Sequence, residues 1–322
     1  MLELTVVIRG YDSLFPLSRG EINTPGLNIT LDHRTSIDAL AAEDPPPAGE
    51  MSLSRYLLGV AAGDDRWVGL PMYVIRGFRQ RSFWVRSDST LTSLSELRNA
   101  RVGMSGWADS GNTWARAALA DADVNMDDVR WILGPPNRNY PRTVSKPTGD
   151  LPEGGVTMLA AGDSLTDATL RGELDAVSLA FPSDELFRPD APLRRLVRDY
   201  RSDEMGYLSR TGIYPAFHTL VIRRDIFARD PGLARGLYQA MEASWLAARS
   251  LYRTFGDATP WMQYDLDEAD RLLGAAAAPF GIEHPIHRNT IDGLGRAQLA
   301  QRLTRRAATA DEAFGEVGGL LA

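Results

Sequence analysis

The chain has 322 residues, and its 35 basic against 42 acidic side chains give a formal charge of -7, so it carries no basic footprint for nucleic acid. Hydrophobic residues at 44% and charged residues at 24% are those of a globular protein, at a length that allows two lobes of ordinary domain size. Cysteine is absent, which excludes disulfides, thiol nucleophiles and cysteine-held metals and leaves carboxylates, histidines, hydroxyls and cations to carry any chemistry.

In chain order, residues 1–10 interrupt their apolar side chains with Glu3 and Arg9 and show neither a basic n-region nor a small-residue cleavage site, so they read as a first strand. No apolar run reaches the roughly 18 residues that span a bilayer, and the expectation is a cytoplasmic chain without a membrane partner. Gly10-Tyr-Asp12 is a polar turn at the end of that strand, and residues 27–31 alternate as a second one. Residues 44–49 read as a rigid exposed loop leading to a helix that carries Tyr56, Leu57 and Val60 and is capped by Ser52 or Ser54. Residues 67–75 form a buried strand and 83–86 a short extended piece, with Arg76, Arg79 and Arg81 on the loop between them.

Composition turns polar from Ser87, and residues 101–104 open a second lobe. A glycine-punctuated loop, 105–113, runs into an amphipathic helix; 129–133 is a strand; 134–155 is a proline-rich excursion of the length expected for a mobile or covering segment. Residues 158–170 read as a helix, 172–180 as a strand and 193–197 as a short apolar piece. The stretch 211–224 is a loop feeding a buried strand, with His218 at its mouth, and helices follow near 231–255, 266–277 and 290–306.

Residue types single out where chemistry can sit. Guanidinium matches a carboxylate bidentately, and alternation puts Arg79 and Arg81 together in preference to Arg76. The 105–113 loop offers N–H groups and a helix dipole to an anion, with Ser110, Asn112 and Thr113 as side-chain donors, although it lacks a Walker lysine. Ser52 and Ser54 either cap their helix or bind ligand oxygens. Tyr11 and Asp12 lie at the strand end where open α/β sheets take ligands, and Trp107 and Tyr214 are rings able to stack on an aromatic ligand. Glu283-His-Pro-Ile-His287 has the look of a metal tract, but Pro285 keeps a regular helix from presenting both histidines, so a surface loop is expected and no metal is assigned. No Gly-x-Ser-x-Gly elbow supports a serine hydrolase.

Taken in order, Gly10-Tyr-Asp12, Glu50-Met-Ser-Leu-Ser54, the arginine-rich 76–86 segment, 103–114, Val129-Arg-Trp131, Gly172-Glu-Leu-Asp-Ala176, 211–223, Pro260-Trp261 and Pro279-Phe-Gly281 resemble the 4,5-dihydroxyphthalate decarboxylase family over nearly the whole chain. Gln80 stands where that family commonly has a histidine, and Ala180-Phe-Pro-Ser183 where it tends to show an arginine between prolines. The resemblance implies a type II periplasmic-binding-protein-like fold: two α/β lobes with an interlobe cleft and two crossover strands, lobe 1 being 1–86 with 211–322 and lobe 2 being 87–210. It further implies a cofactor-independent, decarboxylase-like lyase for a small aromatic or conjugated carboxylate. His218 would handle the proton, histidine being the side-chain type that titrates near neutrality, and Arg79, Arg81, Ser52, Ser54, Tyr11, Trp107, Ser110, Asn112, Thr113 and Tyr214 would bind the substrate. Two alternatives stand beside it: a non-catalytic solute-binding protein or ligand sensor, and a dehydratase, isomerase or cyclase on the same scaffold. The expected partner is the small carboxylate, with a homo-oligomer left open.

Overall fold

The computed structural model describes residues 2–34, 38–144, 146–147, 150–256 and 259–321. Its contacts divide the chain into two compact units, one of residues 1–76, 216–292 and 308–322, the other of 77–215 and 293–307.

In the first unit, β1 (Leu2–Ile8) pairs in parallel with β2 (Leu27–His33) on one side and β3 (Ala48–Ser52) on the other. Beyond β3, β11 (Ala216–Arg223) runs antiparallel both to it and to β4 (Trp67–Arg76), giving the order β2-β1-β3-β11-β4. The helices are α1 (Phe15–Ser18), α2 (Leu53–Ala62), α6 (Arg224–Arg229), α7 (Pro231–Phe255), α8 (Met262–Leu273) and α10 (Ala310–Leu321), while α9 (Pro285–Ala300) divides between the units after Asp292. Leu4, Val6, Ile8, Leu70, Leu220 and Ile222 pack from the sheet against Leu237 and Met241 of α7, all dry, so burial of apolar surface fixes the sheet–helix layer. The chain leaves β1 for a neighbour on one side and later adds β3 on the other. The carboxyl ends of β1 and β3 therefore flank a topological switch point, where open α/β sheets take ligands.

The second unit repeats that logic with β5 (Phe83–Arg86), β6 (Arg101–Met104), β7 (Arg130–Leu133), β8 (Val156–Met158), β9 (Ala176–Ser178) and β10 (Leu193–Arg195) in the order β10-β5-β9-β6-β7-β8. Strands β6 to β9 are parallel along their pairings and β5 is antiparallel to both neighbours. Its switch point lies between β6 and β9, at the start of α3 (Ser110–Asp121); α4 (Leu165–Leu170) and α5 (Tyr200–Thr211) complete the unit. Among the described residues no helix is long and apolar enough to cross a membrane.

Several expectations are corrected here. Residues 48–52 form β3, where 48–49 were expected to end an exposed loop and 50–52 to begin a helix. The expected 158–170 helix is a strand end, β8, followed by the shorter α4. Strand β5 pairs within the second unit's sheet, so the first unit's opening segment ends at Arg76 where residue 86 was expected, its return begins at Ala216 where 211 was expected, and residues 293–307 go with the second unit. Pro285 begins α9, because a proline at the first helical position loses no intrahelical bond, and His287 is buried where a surface loop was expected. The last expected helix, 290–306, ends at Ala300 and is followed by α10, and α5 was not anticipated. Of the 134–155 excursion, Ser145, Thr148 and Gly149 lie outside the described residues.

Candidate functional site

At the switch point of the first unit, four side chains converge. The register Val6 to Ala48 and Val7 to Gly49 carries Arg9, just past β1, to Glu50 on β3. A Cβ on Gly49 would lie 2.8 Å from the Val7 carbonyl oxygen, so only glycine lets the strands approach this closely. Across the other edge of β3, His218 on β11 stands opposite Ser52. Glu50 has no solvent exposure and is bonded on every side: the Arg9 backbone N–H donates to Oε2 at 2.9 Å, Arg9 Nη1 to Oε1 at 2.8 Å and the Tyr11 hydroxyl to Oε1 at 2.7 Å. His218 Nδ1 contacts the same Oε1 and also lies 2.7 Å from Arg9 Nη1. Burial pushes the Glu50 carboxyl up, but the bond and charge of His218, with the Arg9 N–H and the Tyr11 hydroxyl, more than offset it and hold it below the usual carboxylate range. Burial first, then the charge of Glu50, drives the Tyr11 phenol far above its ordinary range, so Tyr11 is a fixed donor.

The second unit brings Arg79 against the first turn of α3. A Cβ on Gly111 would meet Arg79 Nη2 at 3.0 Å and Asp109 Oδ1 at 3.3 Å, so glycine makes room for the guanidinium. Burial lowers the Arg79 pKa to about 10, opposed by Asp109 and reinforced by Arg81, which leaves a cation at neutral pH in a poorly solvated setting. Such a cation attracts a carboxylate more strongly than an exposed one. Asp109 caps α3: Oδ1 accepts the Asn112 N–H at 3.0 Å and Oδ2 accepts Asn112 Nδ2 at 2.7 Å, while Thr113 Oγ1 donates to the Asp109 carbonyl at 2.9 Å. Helix capping thus accounts for Asn112 and Thr113, and Asp109 already supplies an anion to the dipole that was expected to await one.

The remaining expected residues have neighbours within their own units. Arg81 faces Glu204 of α5 at 3.6 Å. Arg76 donates to the carbonyls of Ala276 and Ala277 at 2.6 and 2.5 Å. Trp107 is buried, edge-on to Trp131 and 4.0 Å beneath the guanidinium of Arg116, and Tyr214 lies 5.1 Å from Phe78. Ser52 occupies the position before α2 without capping it through its side chain, Ser54 and Ser110 are buried in the first turns of their helices, and Asp12 is exposed and accepts the Ser13 N–H at 2.8 Å. Sequence reasoning passed over Glu50, Arg9 and Arg116. For Glu50 the sequence offers only a charged residue flanked by Gly49 and Met51. Among the described residues no group of histidines and carboxylates is placed to hold a metal.

No protein-family model matches the chain. The 4,5-dihydroxyphthalate decarboxylase of Comamonas testosteroni is 26% identical over 323 residues, covering 97% of this chain and 96% of the relative. The chain resembles 4,5-dihydroxyphthalate decarboxylases along almost its whole length. A second such enzyme, from Pseudomonas putida, is 27% identical over 183 residues, 55% of this chain and 69% of the relative. Among solved structures, the alkanesulfonate-binding protein SsuA of Xanthomonas axonopodis pv. citri, bound to MOPS, superposes with a TM-score of 0.56 at 14% identity over 98% of both chains. The periplasmic aliphatic sulphonate binding protein SsuA of Escherichia coli gives 0.60 at 12% identity over 98% of this chain and 92% of its own. The desulfurization enzyme DSZB gives 0.52 at 16% identity over 97% and 96%. These likenesses show the fold, that of the type II periplasmic binding proteins, with an α/β sheet in each unit.

Proposed function

We propose that the chain is a carboxy-lyase of the 4,5-dihydroxyphthalate decarboxylase kind, acting without a cofactor in the cytoplasm on a small aromatic or conjugated carboxylate. The observation that carries this reading is the imidazole of His218, held at a sheet switch point by a buried carboxylate, in a chain similar to such enzymes from end to end. Decarboxylation of a hydroxylated arene needs a cation for the carboxylate and a proton for the ring carbon that carries it. In the proposed step His218 protonates that carbon, the C–C bond electrons return to the ring as CO2 departs, and the ring regains aromaticity. A positioned acid–base group of this kind contributes about 10²- to 10⁴-fold in rate. Arg79 is the proposed carboxylate seat, for its dry, cationic setting. A related dehydration, isomerisation or cyclisation would use the same groups.

The test is CO2 release and product mass across a panel of hydroxylated aromatic mono- and dicarboxylates, with His218→Ala and Arg79→Ala alongside. Turnover lost in His218→Ala, and a raised KM in Arg79→Ala, are expected. Tight binding of a panel member without turnover in the wild-type chain would instead establish a binding protein or sensor.

A further inference from the structure

We propose that Glu50 is the positioning residue that fixes the His218 tautomer, accepting a hydrogen bond from Nδ1–H so that Nε2 alone exchanges protons with the substrate. This deepens the role given to His218 above, and its kinetic arm rests on that role.

His218 Nδ1 has two neighbours, Arg9 Nη1 at 2.7 Å and Glu50 Oε1, and a ring nitrogen can serve only one of them. A guanidinium offers donors alone and an ionised carboxylate acceptors alone. A lone pair on Nδ1 would satisfy Arg9 but would set nitrogen and oxygen lone pairs against each other beside a carboxylate with no exposure. An N–H there makes a charge-assisted bond instead. Arg9 loses nothing by this, because its Nη1 and its backbone N–H both have Glu50 as acceptor. Tyr11 adds its hydroxyl from the turn after β1, and on the opposite side of β11 the facing residue is the apolar Ile75, with Arg76 beyond it bonded to the carbonyls of Ala276 and Ala277. Glu50 therefore has donors from three directions and His218 one acceptor. The other ring nitrogen, Nε2, makes no hydrogen bond among the described residues, and the side chain keeps 16% of its exposure, enough for a ligand to reach it. The carboxylate holds the ring in one orientation and stabilises the imidazolium whenever Nε2 carries a proton, as the aspartate does for histidine in a serine-protease triad.

The experiment is nitrogen-15 NMR of histidine-labelled protein, in which the chain's four histidines give few enough signals to assign that of His218 by its loss in His218→Ala. At a pH high enough that the ring is neutral, wild type is expected to show the single ring proton on Nδ1, strongly downfield, and none on Nε2, the nitrogen that takes up a proton before delivering it to the ring carbon. Glu50→Gln is expected to mix the tautomers and to lower kcat about 10²- to 10⁴-fold with KM little changed, with partial recovery in Glu50→Asp. A wild-type ring protonated on Nε2 and bare on Nδ1, or ring shifts unchanged in Glu50→Gln, overturns the assignment. Should Glu50→Gln fail to fold, the wild-type spectrum decides alone. Absence of CO2 release on every acid would remove the function proposed above but leave the tautomer to be read from the same spectrum.

Discussion

His287 offers a measurement that tests the packing of the first unit through pH. Its side chain is 2% exposed in the first turn of α9, edge-on to Tyr73 at 5.2 Å, with Nε2 3.3 Å from the Ala276 carbonyl and 3.4 Å from Arg76 Nη1. Burial first, and then the Arg76 cation, push its pKa down to about 4. An unfolded histidine titrates near about 6.5, so on acidification the unfolded chain takes up the proton before the folded one does. Stability is therefore intact above about pH 6.5 and drains away down to about pH 4; at about 1.4 kcal/mol per pH unit the whole window is worth about 3 kcal/mol, about 2 kcal/mol of it already lost at pH 5. Replacing His287 by Gln removes the titration while keeping a polar group beside Ala276. Urea unfolding of both proteins at about pH 7.5 and about pH 5 isolates the effect, since shared carboxylates cancel in the difference. The stability advantage of wild type over His287→Gln should shrink by about 2 kcal/mol between those conditions. An advantage that stays constant to within about 0.5 kcal/mol would refute the burial argument, because a histidine that titrates alike in both states contributes no pH slope.

Gly111→Ala pushes a methyl to 3.0 Å from Arg79 Nη2, so the guanidinium must give way. Steady-state kinetics on the accepted acid should show KM raised about 3- to 10-fold with kcat less affected, as expected for lost ground-state binding; helix stability should not fall, alanine being about 1 kcal/mol the better helix former. An unchanged KM would remove Arg79 from the carboxylate seat. Arg116→Met strips the second unit of a buried cation that donates to the Trp107 carbonyl at 2.5 Å and to Gln301 Oε1 at 2.8 Å. The orphaned acceptors should cost about 3 kcal/mol, read from the denaturant midpoint, and a loss under about 1 kcal/mol would contradict that account.

The sequence conveyed the sheets where apolar residues run on or alternate. Residues 2–8 and 67–75 were legible for that reason, as was α7 from its amphipathic length and its proline at the first position. It hid β3 because Ala-Gly-Glu-Met-Ser has weak strand propensity, and what makes it a strand is pairing on both edges, with β1 and with β11. It hid the role of Asp109 because the neighbouring Ser110, Asn112 and Thr113 are all residues that cap helices, and which one caps depends on where the first helical turn closes. His287 was misplaced because a proline that stops a helix from its interior begins one at its first turn.

His218 and Arg79 could be singled out as candidates from sequence while Glu50 could not. A histidine at a strand mouth, or arginines clustered on a loop, are conspicuous in any sequence. A residue that meets only its neighbours is defined by them: Glu50 becomes tolerable in the interior of a central strand through Arg9, 41 positions away, and His218, 168 positions away. A buried carboxylate left without those donors would be protonated or expelled. Removing either partner should thus be felt first by Glu50 and only then by chemistry: Arg9→Met should leave the His218 bond in place but raise the Glu50 pKa, since it deletes the Nη1 donor and a nearby cation together. Carboxyl-carbon NMR of labelled glutamate against pH reads this directly, and a Glu50 signal that titrates identically in wild type and Arg9→Met would show that the cluster is held by something other than its hydrogen bonds.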